Sequence, residues 1–314
     1  VVILLKYFAR RIFNLATILL VMSLAAFMVV RLIPGDPIMA MLGDRRVTKE
    51  TIDNMRHLYG LDMPIWKQYL NYILGLFQGN FGLSYFRVGE PVIDIIGRAF
   101  TVTLTVSLIS FPVVIIFGIL IGMLAAFYKN SIVDTIISFV TVLVTAIPNI
   151  AIGAMLIYVF ALKLHLFPVS GWGGPKELVL PVFLVALYPT FSLARQTRAC
   201  LIEEMDKCYI LTAKAKGLSE FGILFKHAFR NVLLPVSTKV GMMFGGLLEG
   251  SFITEIIFNI PGLGRVSVDS IFRRDYPVVV AVILLATLIY GLTNIFVDLG
   301  YWVFNPKVRE GMFK

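Results

Sequence analysis

The run Thr101–Phe127 contains no charged residue. Crossing a hydrocarbon layer takes about 20 consecutive apolar residues in an α-helix, and this run exceeds that length. Lipid offers no partner to backbone N–H and C=O groups, so the segment must satisfy them internally, as a helix does. Ile12–Val30 and Thr135–Leu162 are likewise uncharged. Leu178–Ala194, Leu233–Ile257 and Val278–Val297 supply three more apolar stretches, of which Leu233–Ile257 is the least apolar. Only 15% of residues are charged, against about 25% in an ordinary soluble domain. The expectation is an all-α integral membrane protein with six transmembrane helices.

Taken in order, Lys6, Arg10 and Arg11 precede the first apolar run. That run is longer than a secretory leader core and lacks a small-residue cleavage pattern, so it reads as a retained span with a cytoplasmic N-terminus. Pro34, Gly35 and Pro37 are expected to end it. Residues 38–98 are mixed in polarity, and two short helices are expected there, Thr48–Tyr59 and one with Pro64 in its first turn running to Phe77. In the second, Ile65, Tyr69, Tyr72, Ile73 and Leu76 form an apolar face suited to the membrane core or its interface. This gives a first segment, 1–98, holding one span and an extracytoplasmic helical insertion. A five-helix core, 99–303, and a cytoplasmic tail, 304–314, follow.

Within the core, Gly118 and Gly122 have the four-residue spacing that lets helices approach closely. Tyr128–Ser131 reads as a tight turn. Pro148 interrupts the next run, and its freed carbonyl needs protein or a watery cavity nearby. Pro148 and Asn149 are therefore candidate pathway residues, with a simple packing kink as the alternative. Leu164–Glu177 reads as an outside loop, with Trp172 and Tyr188 as interfacial anchors. Glu249 and Glu255 lie deep in the fifth span, and intramembrane acids usually face a cavity. Glu249 is assigned to a hydrated pathway with Met242 and Met243. Glu255 is expected at the interface, hydrogen-bonded to the next loop. Lys239 can snorkel to the membrane surface. Pro261, Gly262 and Gly264 shape an outer turn.

Arg195–Pro235 is the longest basic, polar interval in the second half of the chain. Two helical pieces are expected, split at Gly217-Leu218. Tyr209, Thr212, Ala213 and Lys216 share one face of the first by spacing. Ser219 can cap the second, where Phe221, Phe225, Ala228 and Val232 form an apolar stripe. Pro235 fits the first turn of the next helix. This describes a helical knob at the membrane surface, open to a partner's grip. A basic loop resting on anionic headgroups fits the same residues.

DKCYILTAKAKGL followed by FKHAFRNVLLPV resembles the cytoplasmic coupling loop of ABC importer permease subunits, in their peptide and nickel branch. RLIPGDPI, LYGLDMPIWKQYLNYILGL, GNFGLSY and ITEIIFNIPGLGR resemble the same branch, so the likeness extends over nearly the whole chain. It implies a type I ABC importer permease-like fold and a loop that docks into an ATPase subunit. By this likeness Thr212, Ala213 and Gly217 hold the loop's central positions, with Tyr209, Ala215, Lys216, Leu218, Phe221 and Pro235 completing the coupling set. Two departures stand out: Leu211 replaces a charged residue of the general pattern, and Gly217–Pro235 is longer than the general spacing. The implied partners are a second homologous permease subunit, two ATPase subunits, an extracytoplasmic solute-binding protein and the lipid bilayer. The implied location is a bacterial or archaeal cytoplasmic membrane.

Charge distribution agrees with that orientation. Lys and Arg in 1–13, 128–131, 195–234 and 304–314 outnumber those in the short outside loops 163–177 and 258–277. The net charge of +9 is thus membrane topology, and no nucleic acid partner is expected. Chemistry is absent from the motifs. There is no G-x-x-x-x-G-K-[ST] loop, no H-E-x-x-H and no G-x-S-x-G. His57, His165 and His227 are scattered, and Cys200 and Cys208 lie in the polar interval with no ligand set nearby, so neither metal nor disulfide is expected. The resemblance implies half of a translocation pathway for di- or oligopeptides, and no catalysis or bound cofactor is expected of this chain. ATP and its magnesium would sit on the partner subunits. Nickel or a metal chelate is the alternative solute. A self-contained ion-coupled carrier is the remote alternative; Glu249 would be its single deep acid, without a clear inverted repeat.

Overall fold

The computed structural model describes residues 2–32, 35–42 and 47–304, with side chains over 8–32, 35–42 and 47–297. Pro34, the charged residues at 44–46 and the NPKVR tail fall outside it, as do the side chains of Lys6 and Asp298. The described chain is almost wholly helical. In order it forms α1 (Val2–Leu32), α2 (Pro37–Leu42), α3 (Lys49–Leu58), α4 (Ile65–Phe77), α5 (Val92–Phe127), α6 (Ile132–Ala146) and α7 (Asn149–Leu156). A π-helical stretch, Ile157–Lys163, prolongs α7. Then come α8 (Pro175–Met205), α9 (Cys208–Ala215) and α10 (Glu220–Gly222). A second π-helical stretch, Ile223–Ala228, joins α10 to α11 (Phe229–Ile257), and α12 (Leu263–Phe272) and α13 (Tyr276–Phe304) complete the order.

Five of these helical runs are long and apolar enough to span a membrane: Phe8–Leu32, Val92–Phe127, Pro175–Met205, Glu220–Ile257 and Tyr276–Val297. The pair Ile132–Ala146 and Asn149–Lys163 reaches the same standard only when taken together, and it bends by 104° at the break. Pro148 caps the second member. The expected span Thr135–Leu162 is therefore two half-length helices at a sharp angle rather than a kinked rod.

Several helices run past the predicted boundaries. α5 begins at Val92, ahead of Asp94 and Arg98, and α8 continues through Arg195 and Arg198 to Met205. Loss of hydrophobicity marks where a helix leaves lipid, not where its backbone hydrogen bonds stop. Pro235 sits inside the continuous run Glu220–Ile257 and not in a first turn. Pro64 is the N-cap of α4 rather than a first-turn residue, and α2 is a third short helix where two were expected. Residues 263–272, expected within an outer turn and loop, are helical because Gly262 caps a stretch with buried Leu263 and Val266. Trp172 packs against buried core residues and is not a simple interfacial anchor, while Tyr188 is exposed.

Two units are distinguished by packing. The first comprises the described residues of Val1–Thr103 with Pro261–Gly291. Its core joins Ala26 and Val30 of α1 to Tyr85 and to Tyr276, Val279, Val280 and Leu284 of α13. On α4, Tyr72 and Leu76 pack against this core and Tyr69 shares a 2.9 Å hydrogen bond with Ser23, whereas Ile65 is exposed. The RLIPGDPI segment has a local physical logic here. Gly35 has φ +116° and lies against the Arg274 guanidinium, so any side chain would be strained and would collide. The Asp36 carboxylate accepts from Ile38 N at 2.9 Å at the start of α2 and pairs with Arg56. Pro37 then opens α2, where a missing N–H costs nothing.

The second unit is Leu104–Ile260 with the described part of Leu292–Lys314. Gly118 lies against Leu193, and Gly122 lies against the Ala194 carbonyl and Thr197, so the two glycines seat α5 on α8 as their spacing predicts. Arg198 of α8 grips Asp134 of α6 through two 2.6 Å hydrogen bonds. Buried Val106, Val185, Leu193, Leu201, Ile210, Leu224 and Leu247 make one contiguous core.

In the first unit, Asp275 is 3% exposed and accepts from Ser84 Oγ, from Tyr85 N at 2.9 Å and from Phe86 N at 3.4 Å. Burial pushes its carboxyl above the ordinary aspartate range, and these donors together with Val278 N pull it back only in part. Asp275→Ala strands those donors and is expected to cost about 2–4 kcal/mol, read by thermal unfolding in detergent. A raised folded pKa also means that the native state holds this proton more tightly than the unfolded chain. The stability it confers is complete below the unfolded value of about 4 and is lost as pH rises through the folded value. Asp275→Asn is expected to flatten that dependence of the melting temperature.

Candidate functional site

The knob grows out of the end of α8. Asp206 closes that helix and Lys207 caps α9 immediately after it, so the chain turns without a free linker. Ile210 and Ala213 anchor α9, at 0% and 7% exposure. They are three apart and share one inward face. Tyr209, Thr212 and Lys216 are exposed, so the expected four-residue face is buried only at Ala213.

Gly217 ends α9 in the left-handed conformation, φ +74°, with its N–H donating to Lys214 O at 2.9 Å. Helices commonly stop on a glycine in this way because no Cβ opposes the positive φ. Leu218 N then returns to Ala213 O at 3.4 Å. Ser219 caps the next helix as expected, its hydroxyl accepting from Gly222 N at 3.2 Å.

The expected stripe Phe221, Phe225, Ala228, Val232 is only half correct. Ala228 and Val232 are buried, but Ile223 and Leu224 take the inward places, at 0% and 1% exposure. The cause is the π-helical stretch Ile223–Ala228, whose wider turn shifts the register by about one residue. Phe221 and Phe225 are thereby left on the outside, stacked on each other with centroids 4.1 Å apart. Leu211 and Leu218 are also exposed, at 64% and 44%. Of the nine coupling residues only Ala213 is buried; Tyr209, Thr212, Ala215, Lys216, Gly217, Leu218, Phe221 and Pro235 are all exposed.

One carboxylate holds the knob to the helices on either side. Glu204, near the end of α8, is 7% exposed. It accepts from Lys207 Nζ at 2.5 Å, from the Tyr209 hydroxyl at 2.7 Å and from Asn231 Nδ2 at 2.9 Å. Asn231 Nδ2 also donates to the Tyr209 hydroxyl at 2.9 Å. Burial, then the neighbouring carboxylate, raises the Tyr209 pKa, so the phenol stays protonated and remains a donor. The bond to Glu204 raises the Lys207 pKa in turn. Three elements, α8, α9 and α11, thus meet on one side chain. Sequence reasoning missed Glu204 and Asn231 because their partners lie up to 27 residues away. The available signal was the acidic pair Glu203-Glu204 at the end of α8, within the basic interval.

The candidate pathway residues lie on two elements. Pro148, exposed, and Asn149, partly so, form the break between α6 and α7. On α11, Met242 is 59% exposed, Met243 packs against the buried core and Glu249 is exposed. α7 packs on α11, where Gly153 meets Ile257. Glu255 is fully buried, and its carboxylate accepts from Ser251 Oγ on its own helix at 3.1 Å. The following turn reaches its backbone carbonyl, through Ile260 N at 2.8 Å. The side chain expected at the interface is thus buried, while a bond from the next turn to this residue is present.

Residues 118–310 match the family described as binding-protein-dependent transport system inner membrane component. Residues 4–115 match the N-terminal region described for such membrane components. The dipeptide transport system permease protein of Bacillus subtilis (strain 168) is 35% identical over 97% of this chain and 98% of its own length. That of Lactococcus lactis subsp. cremoris (strain MG1363) is 35% identical over 97% and 99%. The glutathione transport system permease protein of Escherichia coli (strain K12) is 37% identical over 97% and 99%. A chain of the MetNI methionine ABC transporter, solved in inward-facing conformations, superposes with a TM-score of 0.52 at 17% identity. It covers 67% of this chain and 98% of its own, a likeness of fold.

Glu204→Ala removes the acceptor shared by Lys207, Tyr209 and Asn231. Amide exchange over residues 208–218 is expected to quicken about tenfold or more while α8 above it keeps its protection. Tyr209→Phe, which deletes one donor of the three, is expected to fall between.

Proposed function

This chain belongs to the family of binding-protein-dependent transport system inner membrane components, and from that membership we propose that it forms half of the pathway of an ATP-driven importer of di- or oligopeptides. It is a permease subunit and not an enzyme. The partners are a second homologous permease subunit, two ATPase subunits that hold ATP and magnesium, and an extracytoplasmic solute-binding protein. The N-terminus and the knob lie on the cytoplasmic side, and α2–α4 belong to an extracytoplasmic insertion. The broken pair α6–α7 counts as one of six spans.

The observation that carries this reading is the exposed, internally braced knob, Lys207–Gly222. A docking element must present side chains to a partner and transmit its displacement. Exposed Leu218 and Phe221 meet the first need, and the Glu204 hydrogen bonds meet the second. ATP-driven closure of the ATPases displaces the knob. The continuous run Glu220–Ile257 then carries that displacement into the membrane. Such a change requires different contact energies in two states, and the knob–ATPase interface is where they arise.

Peptides rank first as solute because relatives at 35% and 37% identity are named for dipeptide and glutathione transport. The exposed Glu249 carboxylate and the Met242 side chain suit a hydrated path able to pass a polar solute.

Gly217→Pro cannot keep φ near +74°, and Lys216→Glu reverses an exposed charge. Both are expected to abolish solute-stimulated ATP hydrolysis in proteoliposomes while leaving membrane insertion intact. Unchanged coupled uptake in both would remove the docking role. Glu249→Gln is expected to slow peptide uptake more than Glu255→Gln, and equal, negligible effects would take Glu249 out of the path.

A further inference from the structure

We infer that the first unit carries a binding site for a small organic monocarboxylate, anchored by the Arg31 guanidinium. A cavity of about 300 Å³ opens beside the last turn of α1, walled by Phe27, Tyr59, Tyr72, Tyr85 and Tyr276 with Arg31 among them. That volume is at the lower end of what small-molecule sites occupy. The site goes beyond the importer reading and does not rest on it, since filling it needs neither ATP nor transport.

Arg31 is preorganised and under-used. Its Nη1 donates to Phe27 O at 3.2 Å and its Nη2 to Gln68 Oε1 at 2.5 Å. The group also lies 3.4 Å from the centroid of the Phe27 ring. Gln68 cannot swing away, because its amide donates to Met63 O at 2.7 Å and Leu61 O at 3.3 Å. A guanidinium has five N–H donors, so three remain without an acceptor among the described residues. No carboxylate pairs with Arg31 among the described residues: Asp36 pairs with Arg56 and Asp62 with His57.

The chemistry of the occupant follows from the wall. Among the described residues Arg31 is the one charged group lining the cavity, so a cation is repelled. A monoanion is matched in charge, whereas a dianion such as phosphate would bring an uncompensated charge out of water. Planar two-point pairing favours a carboxylate. Six aromatic residues line it, Phe81 with the five named above, and they favour an apolar or aromatic body on the same molecule. A glutamate side chain from a docked protein would leave most of the volume empty, so the occupant is a free molecule.

The test uses the purified importer in nanodiscs, without nucleotide, titrated calorimetrically with 3-phenylpropionate and with its neutral isostere 3-phenylpropanamide. The acid is expected to bind saturably and about tenfold or more tighter than the amide, as a charge-assisted pair requires. Arg31→Gln is expected to bring the acid down to the level of the amide and leave the amide unchanged, and Arg31→Lys to fall between. Asn71→Phe narrows the cavity from the exposed side of α4 without touching the charge, and it is expected to weaken both probes. Equal binding of acid and amide, or acid binding that survives both Arg31→Gln and Asn71→Phe, overturns the site. So does absence of saturable acid binding to the unaltered protein, the result expected if an acidic side chain of a partner were the true occupant.

Discussion

Hydrocarbon gives a peptide group nothing to bond to, and every break in a membrane helix must be answered locally. That constraint explains why the described chain is built from long continuous helices and why its interruptions are few and specific. Pro112, Pro181, Pro189 and Pro235 are all carried inside helices. At Pro148 there is a complete break instead, and there the chain turns by 104°. The two π-helical stretches are the gentler solution, each fitting an extra residue without ending the helix.

How far the sequence discloses this depends on which physical signal each element leaves. Apolar length is a strong signal, and each of the five helical runs long and apolar enough to cross a membrane contains a stretch singled out by it. Gly118 and Gly122 were legible because close packing leaves only small residues as an option, and Leu193 and Ala194 fill the space they vacate. Helix ends were not legible where polarity changed within a helix. At Arg195 the composition turns basic, yet α8 runs on to Met205, because hydrogen bonding along the backbone is indifferent to what the side chains face. The register of Phe221 and Phe225 was illegible for a different reason. Spacing arguments assume 3.6 residues per turn, and one π turn between them and Val232 rotates the buried face away. Of the candidate site, the break at Gly217 and the Ser219 cap were readable from pattern. The Glu204–Asn231 bond was not, since nothing local links residues 27 apart.

In each unit a buried carboxylate gathers several donors from separate segments. Asp275 takes three donors from residues 84–86, some 190 positions earlier in the chain. Glu204 takes three from α9, its cap and α11. In both cases the acceptor fixes the direction in which a polar segment leaves a membrane helix. Apolar packing alone does this poorly, because hydrophobic contact has no preferred angle, whereas a charge-assisted hydrogen bond loses most of its strength when its geometry is lost.

The same reasoning constrains any mechanism in which the knob moves. A lever that bends at its root wastes the displacement applied to its tip. The Glu204 bonds close that root by tying α9 to both α8 and α11, so a push on Leu218 or Phe221 is borne by three helices together. Beyond the knob the path is a single helical run of 38 residues, Glu220–Ile257. Its weakest point is Pro235, which offers no N–H to the carbonyl of Asn231, the residue that also donates to Glu204. Compliance and bracing thus meet at one turn of α11. Rotation of the run about Pro235 would strain the Asn231 bonds first, so those bonds set how far the knob can swing before its root opens.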